Sequence, residues 1–285
     1  MLYICLHSVI FSLFFALIRR ISLFRHGRRC YAFFHPCVPH EPLIFVHVAL
    51  LPEIATSLDY INKHSGSSNL FLSHDLQGNS IGDDSDATTA IFYSINATQP
   101  GLRGVELGNS LIKRVVQTLR GEGPRIRTFC TLSPIPGLWR WLSEVEKDLC
   151  VREGVQSGSE GERLGVLFTD DGGVGASHIL STPTSLRSRL LRLTAQYLVQ
   201  AKKPMKNGDE TPRALDPVAH FHLRNGATVH SINWAADLSV KGRRNSAGIM
   251  VNYKYNLKEI AGNSDQYANQ GHISLSLAVE SLLEL

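Results

Sequence analysis

Residues 88–116 read TTAIFYSINATQPGLRGVELGNSLIKRVV, and the fold is decided in this stretch. Thr88 to Asn96 is a β-branched and aromatic run, apolar enough for a central strand. A turn bearing Gly101, Gly104 and Gly108 follows, and after it the pattern is helical. Leu111, Ile112, Val115, Val116 and Leu119 share one face of a helix that Asn109 or Ser110 can cap and Gly121 can close. Upstream, EPLIFVHVALL (41–51) reads as another strand. Downstream, IRTFCTLS (126–133) is a third, running out at Ser133. There SPIPG (133–137) sets two prolines behind a serine, and each proline disfavours helix in the residue before it. Ser133 is therefore expected on stiff, extended backbone at a strand end. A catalytic hydroxyl needs such stiffness, and so does an ordinary strand-to-helix corner.

The chain has 285 residues, enough for one large domain or two small ones with a full core. A net charge of +4 without a long Lys/Arg block gives no nucleic-acid arm. Five cysteines (Cys5, Cys30, Cys37, Cys130, Cys150) with no CxxC spacing read as reduced thiols of an intracellular protein. Residues 1–26 stand apart. MLYICLHSVIFSLFFALIRR is apolar for about 18 residues, at the short edge of a membrane span, and is closed by arginines. Positive charge after the apolar run fits a signal anchor better than a secretory signal. A targeting segment, a buried helix and an artefact of the gene's first exon are the other readings, and membrane contact is expected only through residues 1–20. Residues 64–87 and 152–177 are rich in Ser, Gly and acid and read as long surface insertions.

DPVAHFHLRNGATVHSINW (216–234) offers a tight hairpin at RNGA or a short helix. Asp216 followed by Pro217 is a cap and first-position signature, and Gly226 sits where a helix stops. The helix is preferred, from Pro217 to about Asn225, with a strand ATVHSINWAADL after it. On a strand His220 and His222 would chelate a metal together. On a helix they lie about 200° apart, with His222 on the face of Val218, Phe221 and Asn225. HPCVPH (35–40) reads as a loop rather than a zinc site. No metal and no cofactor are expected. SLRSRLLRLTAQYLVQ (185–200) is a helix whose Leu186, Leu190, Leu193 and Tyr197 read as core. Tyr253 and Tyr255 share one face of a strand and read as packing tyrosines.

The turn GLRGVELGN feeding a helix N-terminus suits an anion, because free N–H groups and the helix dipole favour negative charge. It is neither a Walker loop nor a GxGxxG fingerprint. Ser133 and His222 are candidates for nucleophile and base, but no GxSxG elbow is present and a hydrolase triad is unsupported.

The order strand, glycine turn, helix, strand is the core of the acetyl-CoA-binding acyltransferase fold. Longer strings narrow this further. RRCYAFFHPCVPHEPLIFVHVAL, AIFYSINATQPGLRGVELGNSLIKRVV, TLSPIPG, DPVAHFHLRNGA, INWAADLS and VNYKYNL resemble, in this order, the malonyl-CoA decarboxylases, over roughly residues 27–285. The resemblance implies an α/β (α+β) architecture, a Gcn5-related acyltransferase-like fold with a mixed sheet flanked by helices. It implies an enzyme that converts malonyl-CoA to acetyl-CoA and CO2 in fatty acid metabolism. By the same resemblance Ser133 and His222 are its catalytic pair, with Glu106, Ser94 and Tyr255 beside them. The CoA-contacting turn falls on Arg103, Gly104, Val105, Glu106, Leu107, Gly108 and Asn109. The family's N-terminal helical domain finds no counterpart, and that domain takes part in its oligomer contacts, so homo-oligomerisation is in question.

Loss of CO2 leaves a thioester enolate, so such a site must stabilise an oxyanion and then protonate carbon. On the family's pattern Ser133 and His222 grip the malonyl carboxylate, with His222 the preferred proton donor. Backbone N–H groups of the Thr88–Asn96 strand would face the thioester oxygen. Glu106 would set the His222 tautomer or position Ser133, and Tyr255 would join the network. Two rival readings share the fold: a non-catalytic acyl-CoA-binding remnant, and an acyl-CoA acyltransferase. Mitochondrial location is the family-weighted expectation, with cytoplasmic, peroxisomal and membrane-tethered alternatives. The C-terminal SLLEL is not a peroxisomal address.

Overall fold

Central strands bury both faces, and the middle of this chain's first strand-rich half does so. Cys30, Tyr31, Ala32 and Phe33 are consecutive and all buried. In the computed structural model residues 18–20, 27–64, 86–102, 107–122, 125–153, 175–205 and 211–284 are described. Most of the apolar leader, the bulk of the two insertions (65–85 and 154–174) and Arg103, Gly104, Val105 and Glu106 lie outside the described residues.

The chain divides into two compact units, Met1–Ala55 with Ile61–Cys130, and Thr56–Tyr60 with Thr131–Leu285. In chain order the elements are β1 (Ile18–Arg20), β2 (Arg28–His35), β3 (Val38–Leu51), α1 (Leu58–His64), β4 (Thr89–Ala97), α2 (Leu107–Glu122), β5 (Thr128–Thr131), β6 (Ser133–Pro134), α3 (Leu138–Glu153), α4 (Ala176–Leu180), α5 (Thr184–Val199), α6 (Pro217–Arg224), β7 (Thr228–Asn233), α7 (Val240–Ser246), β8 (Met250–Tyr255), α8 (Ile260–Gln270) and α9 (Leu277–Glu284).

In the first unit β1, β2, β3 and β4 are joined by antiparallel ladders, Ile18 to Phe33, Arg28 to Ala49 and His47 to Ser94 among the paired residues. HPCVPH is the β2–β3 hairpin, where His35 Nδ1 accepts the Cys37 N–H at 3.1 Å. That hairpin draws β3 back to Val38, earlier than the Glu41 expected from sequence. β2 itself escaped the pattern reading because its arginine pair hides the apolar run. Thr88 O accepts the N–H groups of Arg127 and Thr128, so β5 starts beside the start of β4 and runs parallel to it. The crossover helix α2 packs on β2 and β3 with Leu111, Ile112, Val115, Val116 and Leu119 buried, as its spacing predicts. It begins at Leu107 and runs through Gly121 to Glu122. Asn109 and Ser110 are therefore inside the first turn, because Leu107 and Gly108 are also buried and carry the helix back.

In the second unit β8 lies between β6 and β7, with Ser133 opposite Val251 and Asn233 opposite Met250. Leu132, Ile135, Leu138, Leu190, Val229 and Val251 are among its buried apolar residues. In α5, Leu186, Leu190 and Tyr197 are buried, and Leu193 is half-buried. The helix at 217–224 forms as its cap predicts. Asp216 accepts the N–H groups of Val218 and Ala219 at 2.9 and 2.8 Å. Gly226 at φ +78° ends it, at a place where a Cβ would lie 2.0 Å from Ile260 O. The expected strand 227–238 stops at Asn233, because Ala235 takes a positive φ and the N–H groups of Ala236 and Asp237 turn to Gly248 O. The class is α/β: antiparallel ladders and one parallel step, flanked by helices. Among the described residues no helix is long and apolar enough to cross a membrane.

Candidate active site

β6 carries Ser133 extended, as the two prolines require, and buries it to 5% exposure. Two residues earlier on the same side stands Thr131, which the sequence reading left without a role. Its Oγ1 accepts the Tyr253 N–H at 3.2 Å and its carbonyl accepts Asn252 Nδ2 at 2.7 Å. Thr131 is thus fastened to β8, and it receives a hydrogen bond from Ser133 Oγ at 2.9 Å. The period of two along an extended segment was the signal that could have found it.

α6 brings His222 to the other side of Ser133. The face it buries is Ala219, His222 and Leu223. Val218, Phe221 and Asn225, expected to share that face, are half-buried, with Phe221 edge-on to the imidazole at 5.0 Å. His222 Nε2 lies 3.1 Å from Ser133 Oγ, and Nδ1 lies 2.7 Å from the Tyr255 hydroxyl. With Ser133 donating to Thr131, the consistent neutral tautomer has Tyr255 donating to Nδ1 and Nε2–H donating to Ser133. Hydroxyl, imidazole and hydroxyl form one relay.

His220 leaves the helix elsewhere, with Nδ1 2.8 Å from the Tyr267 hydroxyl, so the two histidines do not converge. Tyr253, read from sequence as a packing residue, stacks on the His222 ring at 4.5 Å and 25°. Its hydroxyl is buried without a hydrogen-bond partner. His222 is 3% exposed, and burial holds its pKa down to about 3. The imidazole is therefore neutral at physiological pH.

Ser94 and the residues from the expected CoA-contacting turn that are described, Leu107, Gly108 and Asn109, belong to the first unit. Ser94 is half-buried on β4, where its Oγ accepts Asn96 Nδ2 at 2.7 Å. Beside it the ladder slips: His47 pairs Ser94 while Val48 pairs Phe92, so Tyr93 is an extra residue on β4. Such a bulge interrupts the ladder and frees backbone groups, a device common next to binding sites. His47 ring packs 5.8 Å from that of Tyr93, and burial, then Arg28, lowers its pKa. Leu107, Gly108 and Asn109 form the first turn of α2, whose N–H groups have no partner within the helix. Glu106 lies outside the described residues.

Comparison with known proteins gives this arrangement its context. The family description "Malonyl-CoA decarboxylase C-terminal domain" matches residues 12–285. The chain belongs to this malonyl-CoA decarboxylase family. It is 40% identical over 271 residues to the mitochondrial malonyl-CoA decarboxylase of Anser anser anser, covering 90% of this chain and 50% of that one. With the Rattus norvegicus enzyme it shares 37% over 268 residues, covering 90% and 51%. It is also similar to the crystal structures of malonyl-CoA decarboxylase from Agrobacterium vitis (TM-score 0.72, 37% identity, 90% of this chain and 57% of that) and Rhodopseudomonas palustris (TM-score 0.66, 39%, 90% and 53%). The chain spans about half the length of the curated relatives it matches.

Proposed function

We propose that this chain decarboxylates malonyl-CoA to acetyl-CoA and CO2, with Ser133, His222 and Tyr255 as the reacting groups. The observation that carries this reading is the continuous hydroxyl–imidazole–hydroxyl relay buried in a member of this family. A neutral relay suits the chemistry. Ser133 turns its hydrogen from Thr131 to the malonyl carboxylate, and a neutral donor orients that carboxylate without the strong ground-state stabilisation a cation would give. When the C–C bond breaks, its electron pair passes into the thioester enolate and CO2 leaves. The α-carbon then takes a proton from Ser133 Oγ. Ser133 regains one from His222 Nε2, His222 one at Nδ1 from Tyr255, and Tyr255 one from water.

In this scheme the His222 tautomer is set by Tyr255, a task the resemblance had offered to Glu106. Glu106 and Ser94 keep the supporting places the family pattern gives them, and the CoA portion is assigned to Arg103–Asn109. The relatives named above as mitochondrial support the same location for this chain.

The test is release of CO2 and acetyl-CoA from malonyl-CoA by the purified full chain, with Ser133→Ala alongside. Turnover that falls by at least about a hundredfold in the variant, with acetyl-CoA binding kept, supports the assignment. A folded chain that binds acetyl-CoA and turns over nothing is the acyl-CoA-binding remnant instead, and acetyl transfer to an amine without CO2 release would identify an acyltransferase.

A further inference from the structure

A phenol and a serine hydroxyl can each donate or accept, so the chain Tyr255, His222, Ser133 could carry its hydrogens in either direction. In one direction Tyr255 donates to Nδ1 and Nε2–H donates to Ser133. In the other, Ser133 donates to Nε2 and Nδ1–H donates to Tyr255. The distances of 3.1 and 2.7 Å at the two nitrogens suit both. Only the direction with a hydrogen on Nε2 can return one to Ser133 after the α-carbon has been protonated. A group beyond the relay must select it.

Thr131 stands where that selection is made. Its Oγ1 takes the Ser133 hydrogen at 2.9 Å. A hydroxyl hydrogen spent there leaves Ser133 only lone pairs to offer the ring, so Nε2 carries the hydrogen between them. The threonine is held in that part from two sides. A backbone N–H can only donate, and that of Tyr253 is aimed at Oγ1 at 3.2 Å. The Thr131 carbonyl accepts Asn252 Nδ2 at 2.7 Å. Asn252 is itself held, its Oδ1 accepting Ser231 Oγ at 2.7 Å and Asn233 Nδ2 at 2.6 Å. Thr131 is 1% exposed and Asn252 0%, so bulk water does not compete for these groups. Apolar side chains would fill the same positions without the desolvation cost of buried amides. They would also leave Ser133 no acceptor but the ring.

The geometry points to Thr131 as a positioning residue that sets the direction of the relay, keeping the hydrogen on His222 Nε2 by accepting that of Ser133. Tyr255 keeps its task of donating to Nδ1, and Thr131 makes that donation one-way. This inference rests on the decarboxylase reading for its kinetic consequence, but the tautomer it concerns is observable without turnover.

The experiment uses the full chain as wild type, Thr131→Val, Thr131→Ser and Ser133→Ala. Valine keeps the branched shape and removes the acceptor, whereas serine keeps the acceptor and removes the methyl. Two readouts are taken: the ¹⁵N resonances of the His222 ring, which tell the protonated nitrogen from the bare one, and kcat and KM for malonyl-CoA. The wild type is expected as the Nε2–H tautomer. In Thr131→Val the Ser133 hydrogen has only Nε2 left to bond, and the ring should switch to Nδ1–H. Its kcat should fall by about ten- to a hundredfold with KM within about threefold of wild type. Thr131→Ser should keep the wild-type tautomer and a kcat within about threefold. An Nδ1–H wild type, a valine variant that stays Nε2–H, or a serine variant that behaves like valine overturns the inference. Lost turnover with unmoved resonances overturns it too, since altered packing alone would do that. If valine unfolds the chain, Ser133→Ala decides, because it disconnects Thr131 from the ring. The Nδ1–H form appearing there supports the inference, and a purely Nε2–H ring leaves Tyr255 as sole determinant and overturns it. Should the wild-type chain turn over nothing while the valine variant still switches tautomer, the positioning role stands and the decarboxylase reading fails.

Discussion

The Tyr255 hydroxyl meets His222 Nδ1 at 2.7 Å, on the opposite side of the ring from Ser133. A neutral imidazole held this way has its hydrogens assigned from both ends. If Tyr255 donates to Nδ1, the Nε2 proton can only point at Ser133. Tyr255→Phe removes that instruction while keeping the ring volume. Its turnover should fall by about ten- to a hundredfold with KM little altered. Combined with Ser133→Ala, the loss should be far smaller than the product of the two single losses, since both variants break one relay. Multiplying effects in this cycle would mean that Tyr255 acts apart from Ser133.

Burial of His222 makes stability depend on pH with a defined sign. The folded value is about 3, against an ordinary 6.5. As pH falls through 6.5 the unfolded chain takes up a proton that the folded chain refuses until about 3. The His222 contribution is therefore full above about 6.5 and declines across that window, with a slope of at most about 1.4 kcal/mol per pH unit. Asp216, whose pKa is raised by burial, acts in the opposite direction: its contribution is present below the ordinary 3.8 and is lost as pH rises through its folded value. The His222 part is isolated by subtracting the unfolding free energies of His222→Gln from those of wild type between pH 4 and 7. The difference should rise with pH. A flat difference would mean that the imidazole titrates as it does in water.

How much of this was legible depended on whether a contact was local. The α6 start was readable because Asp216 and Pro217 act on the next few backbone groups. The buried face of α2 was readable because five apolar residues repeat at helical spacing. β2 was not, since its place as a central strand depends on β1 and β3 rather than on its own alternation. The tyrosines show the same divide. Sequence put Tyr253 and Tyr255 on one side of a strand. That the side faces His222 follows from α6 packing there, and spacing alone carries no trace of it. The resemblance named Ser133, His222 and Tyr255 together, and the second unit brings those three into contact. Thr131 lay in a quoted string without a catalytic role, because it acts through Asn252 and Tyr253, partners distant in sequence.

Tyr253 buries its hydroxyl with no partner while its ring stacks on His222. An unpaired buried hydroxyl costs about 1–3 kcal/mol, whereas the stack needs only the ring. Tyr253→Phe should therefore stabilise the chain, visible as a higher midpoint in urea with an unchanged m-value. Tyr253→Leu gives up the aromatic contact and should lower both stability and turnover. A destabilised Phe variant would show that the hydroxyl is bonded in solution.

Gly137 is the sharpest steric constraint near Ser133. A Cβ at this position would sit 2.2 Å from the Tyr197 hydroxyl and 3.4 Å from the ring carbon that bears it. Gly137→Ala must therefore push Tyr197 away from Asp216 or move the turn that follows Ser133. Overpacking of this kind costs about 1–3 kcal/mol, and here it should also lower turnover by shifting the serine. The clash is with a single oxygen, so Tyr197→Phe should relieve it, leaving the added methyl in ordinary contact with the ring. The double variant should then be less destabilised than the sum of the two singles, by about 1 kcal/mol or more in urea unfolding. Additive destabilisation would instead locate the cost of alanine in the backbone of the turn, and Gly137 would be required for its own conformation rather than for the approach of Tyr197.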